Sequence, residues 1–303
     1  MKPMRPMSLP KLEQGSFVDQ KEQKMQGIEK GNELLESFNK IVHSFVPTGH
    51  KAADGYKVGV DLGTASIVLV VLDADNQPLF GAFKEAKVIR DGLVVDYQKA
   101  VKIVEVLREE AEAALGFALK AASGAIPPGT IGNNKKVVAN VIESAGMEID
   151  QLVDEPSAAA LTLGIADGAV IDIGGGTTGI SVLKNGEVAF VDDEPTGGTH
   201  MTLVIVGYHS VDIDDAEKIK RNPKNEAENF TICRPVIQKM ATIAKKMLDE
   251  HPIEPIFVVG GAAYFSQFEE EMSSVIGKKV LKPVHPQFVT PIGIAMASKV
   301  IVE

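Results

Sequence analysis

One short unit occurs twice in this chain and restricts the fold more than any other feature. In the first copy the apolar run Lys57–Val60 enters Asp61-Leu62-Gly63-Thr64, a second run spans Ile67–Leu72, Asp73–Pro78 turns, and Leu79–Phe83 returns. In the second, Ala169–Ile171 enters Asp172-Ile173-Gly174-Gly175-Gly176-Thr177, Ile180–Leu183 follows, Asn185-Gly186 supplies a turn, and Val188–Val191 returns. Short β-branched runs bounded by turn residues are strands, and Asn-Gly favours a two-residue hairpin loop. Each copy is therefore a strand, an aspartate loop, and an antiparallel strand pair.

Helices and strands alternate after each copy. The first is followed by a predicted helix over Lys99–Lys120, a strand over Ala121–Ile126, a helix over Asn133–Ala145, a strand over Ile149–Val153 and a helix over Pro156–Leu163. The second is followed by helices near Thr199–Gly207, Ile213–Arg221 and Ala227–His251, a strand over Ile256–Val259, and helices over Phe265–Ile276 and Ile292–Val300. Alternation of this kind gives mixed sheets covered by helices, and two repeated halves give two lobes with a cleft between them. The expected division is an N-terminal segment over 1–55, a first lobe over 56–165 and a second over 166–303. Residues 1–27 read as a mobile polar tail, and Gln26–Phe45 reads as an amphipathic helix docked on the body.

The loops suggest the ligand. A strand ending in Asp-x-Gly-Thr sets amides and a hydroxyl around a phosphate oxygen, and glycine permits close approach. The aspartate itself would repel phosphate, so it requires a cation between them, and Mg2+ prefers carboxylate, water and phosphate oxygens. Asp61 and Asp172 are thus candidate ligands of hydrated Mg2+, with Gly63, Thr64, Gly174, Gly175, Gly176 and Thr177 around the phosphates. Phe257-Val258-Val259-Gly260-Gly261 ends an apolar strand in two glycines, which suits close contact with an adenosine. Gly197-Gly198 opens a helix whose amides face the same anion. Glu155, just before a helix start, is placed to orient or deprotonate a water attacking the terminal phosphate; its neighbour Asp154 is an alternative. No Walker-type or Gly-x-Gly-x-x-Gly loop occurs, so the P-loop and Rossmann folds are unsupported.

Composition removes other classes. The net charge of −10 argues against nucleic acid and anionic membranes as general partners. No apolar run reaches the ~18 residues of a membrane helix, and the charged N-terminal stretch lacks the apolar core of a secretory signal. With Cys233 as the single cysteine there is no intrachain disulfide, which suits a reducing cytoplasm. The histidines are scattered without metal-ligand spacing.

These residues resemble the phosphate-1, phosphate-2 and adenosine motifs of the actin, sugar-kinase and heat-shock chaperone ATPases. The resemblance implies an α/β, actin-like ATPase fold (ribonuclease H-like), with two duplicated lobes around a nucleotide cleft holding ATP or ADP and Mg2+. Asp154-Glu155-Pro156-Ser157-Ala158-Ala159-Ala160 is similar to the chaperones' hinge segment, whose glutamate positions the hydrolytic water. Ala216-Glu217-Lys218-Ile219-Lys220 resembles their adenosine-packing helix and assigns base or ribose contacts to Glu217 and Lys220. Arg90–Asp96, Pro127-Pro128-Gly129-Thr130, Glu143–Gly146, Asp172–Ile180 and Thr196-Gly197-Gly198 are similar to a narrower group, the chaperone-like ATPases of bacterial ethanolamine utilisation. That similarity implies protein clients or shell components of a microcompartment as partners.

The chain departs from the chaperones at several points. Gly179 and Thr199-His200 stand where acidic residues occur near their metal and phosphates, and Ala65 replaces a second hydroxyl. A phosphate-contacting lysine has only Lys84, Lys87 and Arg90 as candidates. The peptide-binding domain is expected to be absent. Expected activities are therefore a slow ATPase switch or a non-hydrolysing nucleotide-dependent binding module, with an actin-like filament former as a further reading and a small-molecule kinase ranked last.

Overall fold

The computed structural model describes residues 17–47, 49–90, 93–126 and 133–302. Helix α1 (Phe17–His43) precedes strands β1 (Tyr56–Leu62), β2 (Ser66–Asp73) and β3 (Pro78–Glu85), and the two-residue strands β4 (Ile89–Arg90) and β5 (Leu93–Val94). Then come α2 (Tyr97–Leu115), β6 (Ala121–Ile126), α3 (Asn133–Ser144), β7 (Glu148–Asp154) and α4 (Glu155–Leu163). The second half holds β8 (Gly168–Ile173), β9 (Thr178–Lys184), β10 (Glu187–Glu194), α5 (Gly198–His209), α6 (Ile213–Lys220) and α7 (Glu226–Glu250). It closes with β11 (Ile256–Val259), α8 (Phe268–Ile276), β12 (Val280–Leu281) and α9 (Val289–Ala297).

The duplication is complete at the level of topology. One five-stranded sheet runs β3-β2-β1-β6-β7 and the other β10-β9-β8-β11-β12. In each, the three strands of the repeated unit pair antiparallel and the next two are added in parallel. Ile67–Leu72 of β2 is buried throughout because helices or the other half cover both faces. One core lies between the first sheet and α2–α3, and another between the second sheet and α5, α7 and α8. A third joins the halves through α1, α4 and α9.

Local chemistry fixes the helix ends that matter to the cleft. Asp154 caps α4 by accepting from Ser157 N–H at 2.9 Å, Pro156 sits in its first turn, and Gly164 ends it at φ 63°. Asp212 caps α6 through the amides of Asp214 and Asp215.

Several boundaries differ from the sequence reading. Residues 17–27, read as the end of a tail, are helical: the Gln-, Lys- and Glu-rich run before Gly27 has high helix propensity without a clear apolar period. Helix α2 ends at Leu115 because Gly116 takes the left-handed conformation, and α8 begins only at Phe268. The last helix covers 289–297 rather than 292–300. Strands β4, β5 and β12 are two residues each, too short for a periodic signal. Residues 1–16 of the tail, Asp91-Gly92 and the Pro127–Thr130 motif lie outside the described residues. The helix expected over Gln26–Phe45 docks on the body as read, with Leu35 and Phe38 fully buried.

Candidate functional site

Three glycine turns meet beyond the ends of β1, β8 and β11. The first folds back through Gly63 N–H to Ser66 O at 2.9 Å, the second through Gly174 N–H to Thr177 O at 3.0 Å. They touch each other, Gly175 N–H donating to the Thr64 hydroxyl at 3.2 Å. On β11, Val259 is in register with Asp172 of β8, so Gly260 emerges beside that carboxylate. Gly260 has φ +96°, and a Cβ there would lie 2.3 Å from Asp172 Oδ1 and 2.5 Å from Ile173 O. Only glycine fits. Its N–H donates to Pro286 O at 3.0 Å, and Ala262 N–H to Ile173 O at 3.0 Å. Around Gly176 a Cβ would meet nothing within 4 Å, and around Gly261 only Gln287, so these two face open space.

The acids the sequence singled out come together here. Burial, then the neighbouring Asp172 charge, raises the Asp61 carboxyl to about 7. Burial followed by Asp172, Asp61, Asp193 and Asp154 raises Glu155 to about 8. Asp172 rises to about 6 through burial and Asp193, moderated by a hydrogen bond from Thr290. Among the described residues no cationic side chain offsets these charges, and a bound divalent cation would relieve them. Between the alternatives Asp154 and Glu155, the first is engaged as the α4 cap and the second is left among the acids.

Two residues of the site carry no sequence motif. Asp193 on β10 is paired across the hairpin with Gly179, and a Cβ on Gly179 would lie 3.4 Å from Asp193 Oδ1. An acid that is absent at position 179 therefore reaches the same neighbourhood from the next strand. Thr290, near the start of α9, meets Asp172 from an element far along the chain. The register of the β9–β10 hairpin was a signal for Asp193; nothing local marked Thr290.

Helix α5 is locked to the second loop. Gly198 N–H donates to Gly174 O at 2.9 Å and Thr199 N–H to Gly175 O at 2.8 Å, while Gly197 N–H meets His200 Nδ1 at 3.2 Å. Its first turn is therefore held by the glycine loop itself. Lys220, 2% exposed, donates to Gly198 O at 3.1 Å and to the Thr202 hydroxyl at 2.8 Å, and pairs with Glu217 at 2.6 Å. Burial lowers the Lys220 ammonium below its usual range. Burial would raise Glu217, but Lys220, Thr202 and Arg221 outweigh it and hold the carboxyl at about 2. The two residues thus meet each other and tie α6 to α5.

Of the lysine candidates, Lys84 pairs with Glu110 at 2.8 Å and Lys87 with Asp214 at 3.2 Å, and the side chain of Arg90 lies outside the described residues. Among the described residues no three His, Cys, Asp or Glu side chains converge to hold a metal by themselves, and no helix is long and apolar enough to cross a membrane.

The model of the cell division protein FtsA matches residues 169–293 and that of the MreB/Mbl protein residues 81–222. The ethanolamine utilization protein EutJ of Salmonella typhimurium is 36% identical over 249 residues, covering 80% of this chain and 85% of the relative. The crystal structure of EutJ from Carboxydothermus hydrogenoformans superposes with a TM-score of 0.83 at 46% identity, covering 90% of this chain and 99% of that one. MreB5 of Spiroplasma citri bound to AMPPNP shares the fold, with a TM-score of 0.63 at 16% identity over 80% of this chain and 95% of that one. The two sheets of identical strand order are the two lobes of an actin-like fold. The chain belongs to the EutJ family of ethanolamine utilization proteins, within the actin-like ATPase superfamily.

Proposed function

We propose that this protein is a nucleotide-operated switch of ethanolamine utilisation, binding ATP or ADP with Mg2+ and hydrolysing ATP slowly. The observation that carries this reading is the burial of Asp61 and Glu155 near enough to Asp172 for its charge to raise both carboxyls, with Gly260 packed against Asp172 and the Thr64 and Gly175 loops in contact. The AMPPNP bound by MreB5 on the same fold supports a nucleotide as the ligand. Asp61 and Asp172 offer the oxygen donors a hard divalent cation prefers, and phosphate oxygens and water would supply the rest of its ligands. Gly63, Thr64 and Gly174–Thr177 would cradle the phosphates, Gly197-Gly198 would support that cradle, and Gly260-Gly261 would lie along the adenosine. Residues 56–165 and 166–303 are the two moving units, and α9 returns to pack on β1 and β2 at their junction.

Glu155 is the base that takes the proton of the attacking water, and it can do so only when ionised. With its carboxyl at about 8, it is mostly neutral at pH 7 until a cation relieves the neighbouring charges. Turnover should therefore need Mg2+ more strictly than binding does. Changes in lobe closure would alter the affinity for a cytoplasmic partner, a protein client or a shell component of an ethanolamine-utilisation microcompartment.

Calorimetry with ATP and ADP, with and without Mg2+, tests the reading; saturable Mg2+-dependent binding is expected, and no heat with either nucleotide would overturn it. In the same assays Glu155→Ala should lower turnover about 10²-fold or more with little change in affinity. Lys220→Met separates two roles. If Lys220 supports the phosphate side through Gly198, the variant loses affinity for ATP and for inorganic tripolyphosphate alike, by about tenfold. A ribose contact would weaken ATP alone.

A further inference from the structure

Helix α1 lies along the junction of the lobes and touches both. At its first contact the backbones nearly meet: a Cβ on Gly27 would lie 2.8 Å from Gly164 O, and one on Gly31 2.6 Å from Thr162 O, at the end of α4. Further along, Leu35 and Phe38 are fully buried among Val68, Val70 and Leu72 of β2 and Val170, Leu183, Phe257 and Val259 of the second sheet. Phe38 also fills the space above Gly81 of β3, where a Cβ would lie 2.4 Å from its ring.

A single segment connects this helix to the cleft. Val284 N–H donates to Asn32 Oδ1 at 3.1 Å, His285 Nε2 stands 3.4 Å from Glu36 Oε2, and Phe288 meets the Phe38 ring edge-on at 5.1 Å. Two residues on, Pro286 O accepts from Gly260 N–H at 3.0 Å, and Thr290 bonds Asp172. Within the segment His285 has φ +47°, a conformation a β-carbon disfavours and one that surrounding contacts must hold. The segment 284–290 thus has α1 on one side and the third glycine turn with Asp172 on the other.

We propose that α1 is the element that reports the state of the cleft, and that its docking opposes nucleotide binding. This role of α1 rests on the nucleotide switch proposed above. With α1 docked, the Gly175 amide is held by Thr64 across the cleft. Phosphates in the cleft must take that amide from Thr64 and move the two loops apart. Movement of the second lobe carries Gly260 and Asp172, and with them the 284–290 segment on which α1 rests. A packed junction of this kind repacks between discrete arrangements rather than deforming smoothly. Nucleotide therefore loosens α1, and by linkage anything that undocks α1 tightens nucleotide binding by the same factor.

Hydrogen–deuterium exchange on the full chain, with and without Mg2+ and AMPPNP, reads the first half of this statement. Amides of residues 32–43 should exchange faster with ligand bound. Calorimetry of Gly31→Val, which forces α1 off the end of α4, reads the second. Its Mg-AMPPNP affinity should rise about tenfold, within the range of ordinary coupling. Asn32→Ala, which removes only the acceptor of Val284 N–H, should shift affinity in the same direction by a smaller factor and serves should Gly31→Val fail to fold. Binding by the parent with unchanged α1 exchange and unaltered variant affinities would overturn the inference and leave the switch reading standing. Absence of binding by parent and variants alike would remove both.

Discussion

Asp172→Asn is expected to melt above the parent at pH 8, by about 4–8 °C, and to lose that advantage below about pH 5. Folded-state carboxyls at about 7, 8 and 6 for Asp61, Glu155 and Asp172 lie well above the roughly 4 of an unfolded chain. Between those limits these three groups hold more protons in the folded protein than in the unfolded one, so their contribution to stability is greatest at low pH and falls as pH rises towards 8. Asparagine at 172 removes one buried charge and the largest electrostatic cause of the Glu155 shift. Allowing for solvent screening of a partly exposed cluster, on the order of 2 kcal/mol is regained, and a chain of this size gains about 2–4 °C per kcal/mol. The same substitution replaces the carboxylate proposed to hold Mg2+ with a neutral amide, so Mg2+ should raise the melting temperature of the parent and not of the variant. Thermal scans from pH 4.5 to 8.5 with and without Mg2+ decide the matter. A variant less stable than the parent at pH 8 would mean that the three acids do not repel one another in the folded state. A site that costs stability when empty is the usual trade between function and folding.

The framework of this molecule was legible because it is local. Strand ends at Asp61 and Asp172, the helix start at Pro156 and the Gly260-Gly261 turn each follow from a few adjacent residues, and the duplication joined them into two like sheets. Convergence of Glu155 with both aspartates followed from placing those elements in one fold. What could not be read depends on partners distant in sequence. Thr290 acts from the last helix, and the Thr64–Gly175 contact joins two loops whose separation no periodicity records. Lys220 is the clearest case. A lysine on a charged helix reads as a solvent-facing or ligand-facing group, yet its ammonium is buried among Gly198, Thr202 and Glu217. Its charge is tolerated because every donor finds an acceptor, a condition that tertiary structure alone supplies.

Gly293→Ala should have the largest effect of any single methyl added to this protein. A Cβ at Gly293 would lie 1.8 Å from Ala158 O and 2.3 Å from its carbonyl carbon, where α9 crosses α4. Both groups are backbone, so no side chain can turn aside, and the helices must part by roughly 1.5–2 Å before ordinary contact returns. The run Ala158-Ala159-Ala160, buried throughout, leaves no softer neighbour to absorb the change. Overpacking of this severity costs about 3 kcal/mol or more, read as a lower urea midpoint with an unchanged slope. The displacement also reaches the chemistry. Helix α4 begins at Glu155, and α9 begins one residue before Thr290, which bonds Asp172. Parting the two helices therefore moves Glu155 and Asp172, the proposed base and the proposed metal carboxylate, relative to each other. A misplacement near 1 Å is enough for about a 10²-fold loss in turnover. The folded fraction of Gly293→Ala should then retain nucleotide affinity within about tenfold, because Gly63, Gly175 and Gly260 lie outside the crossing, while turnover falls much further. Wild-type stability in this variant would show that α4 and α9 are not in backbone contact, and equal losses of affinity and turnover would show that the crossing supports the whole cleft rather than the alignment of Glu155 within it.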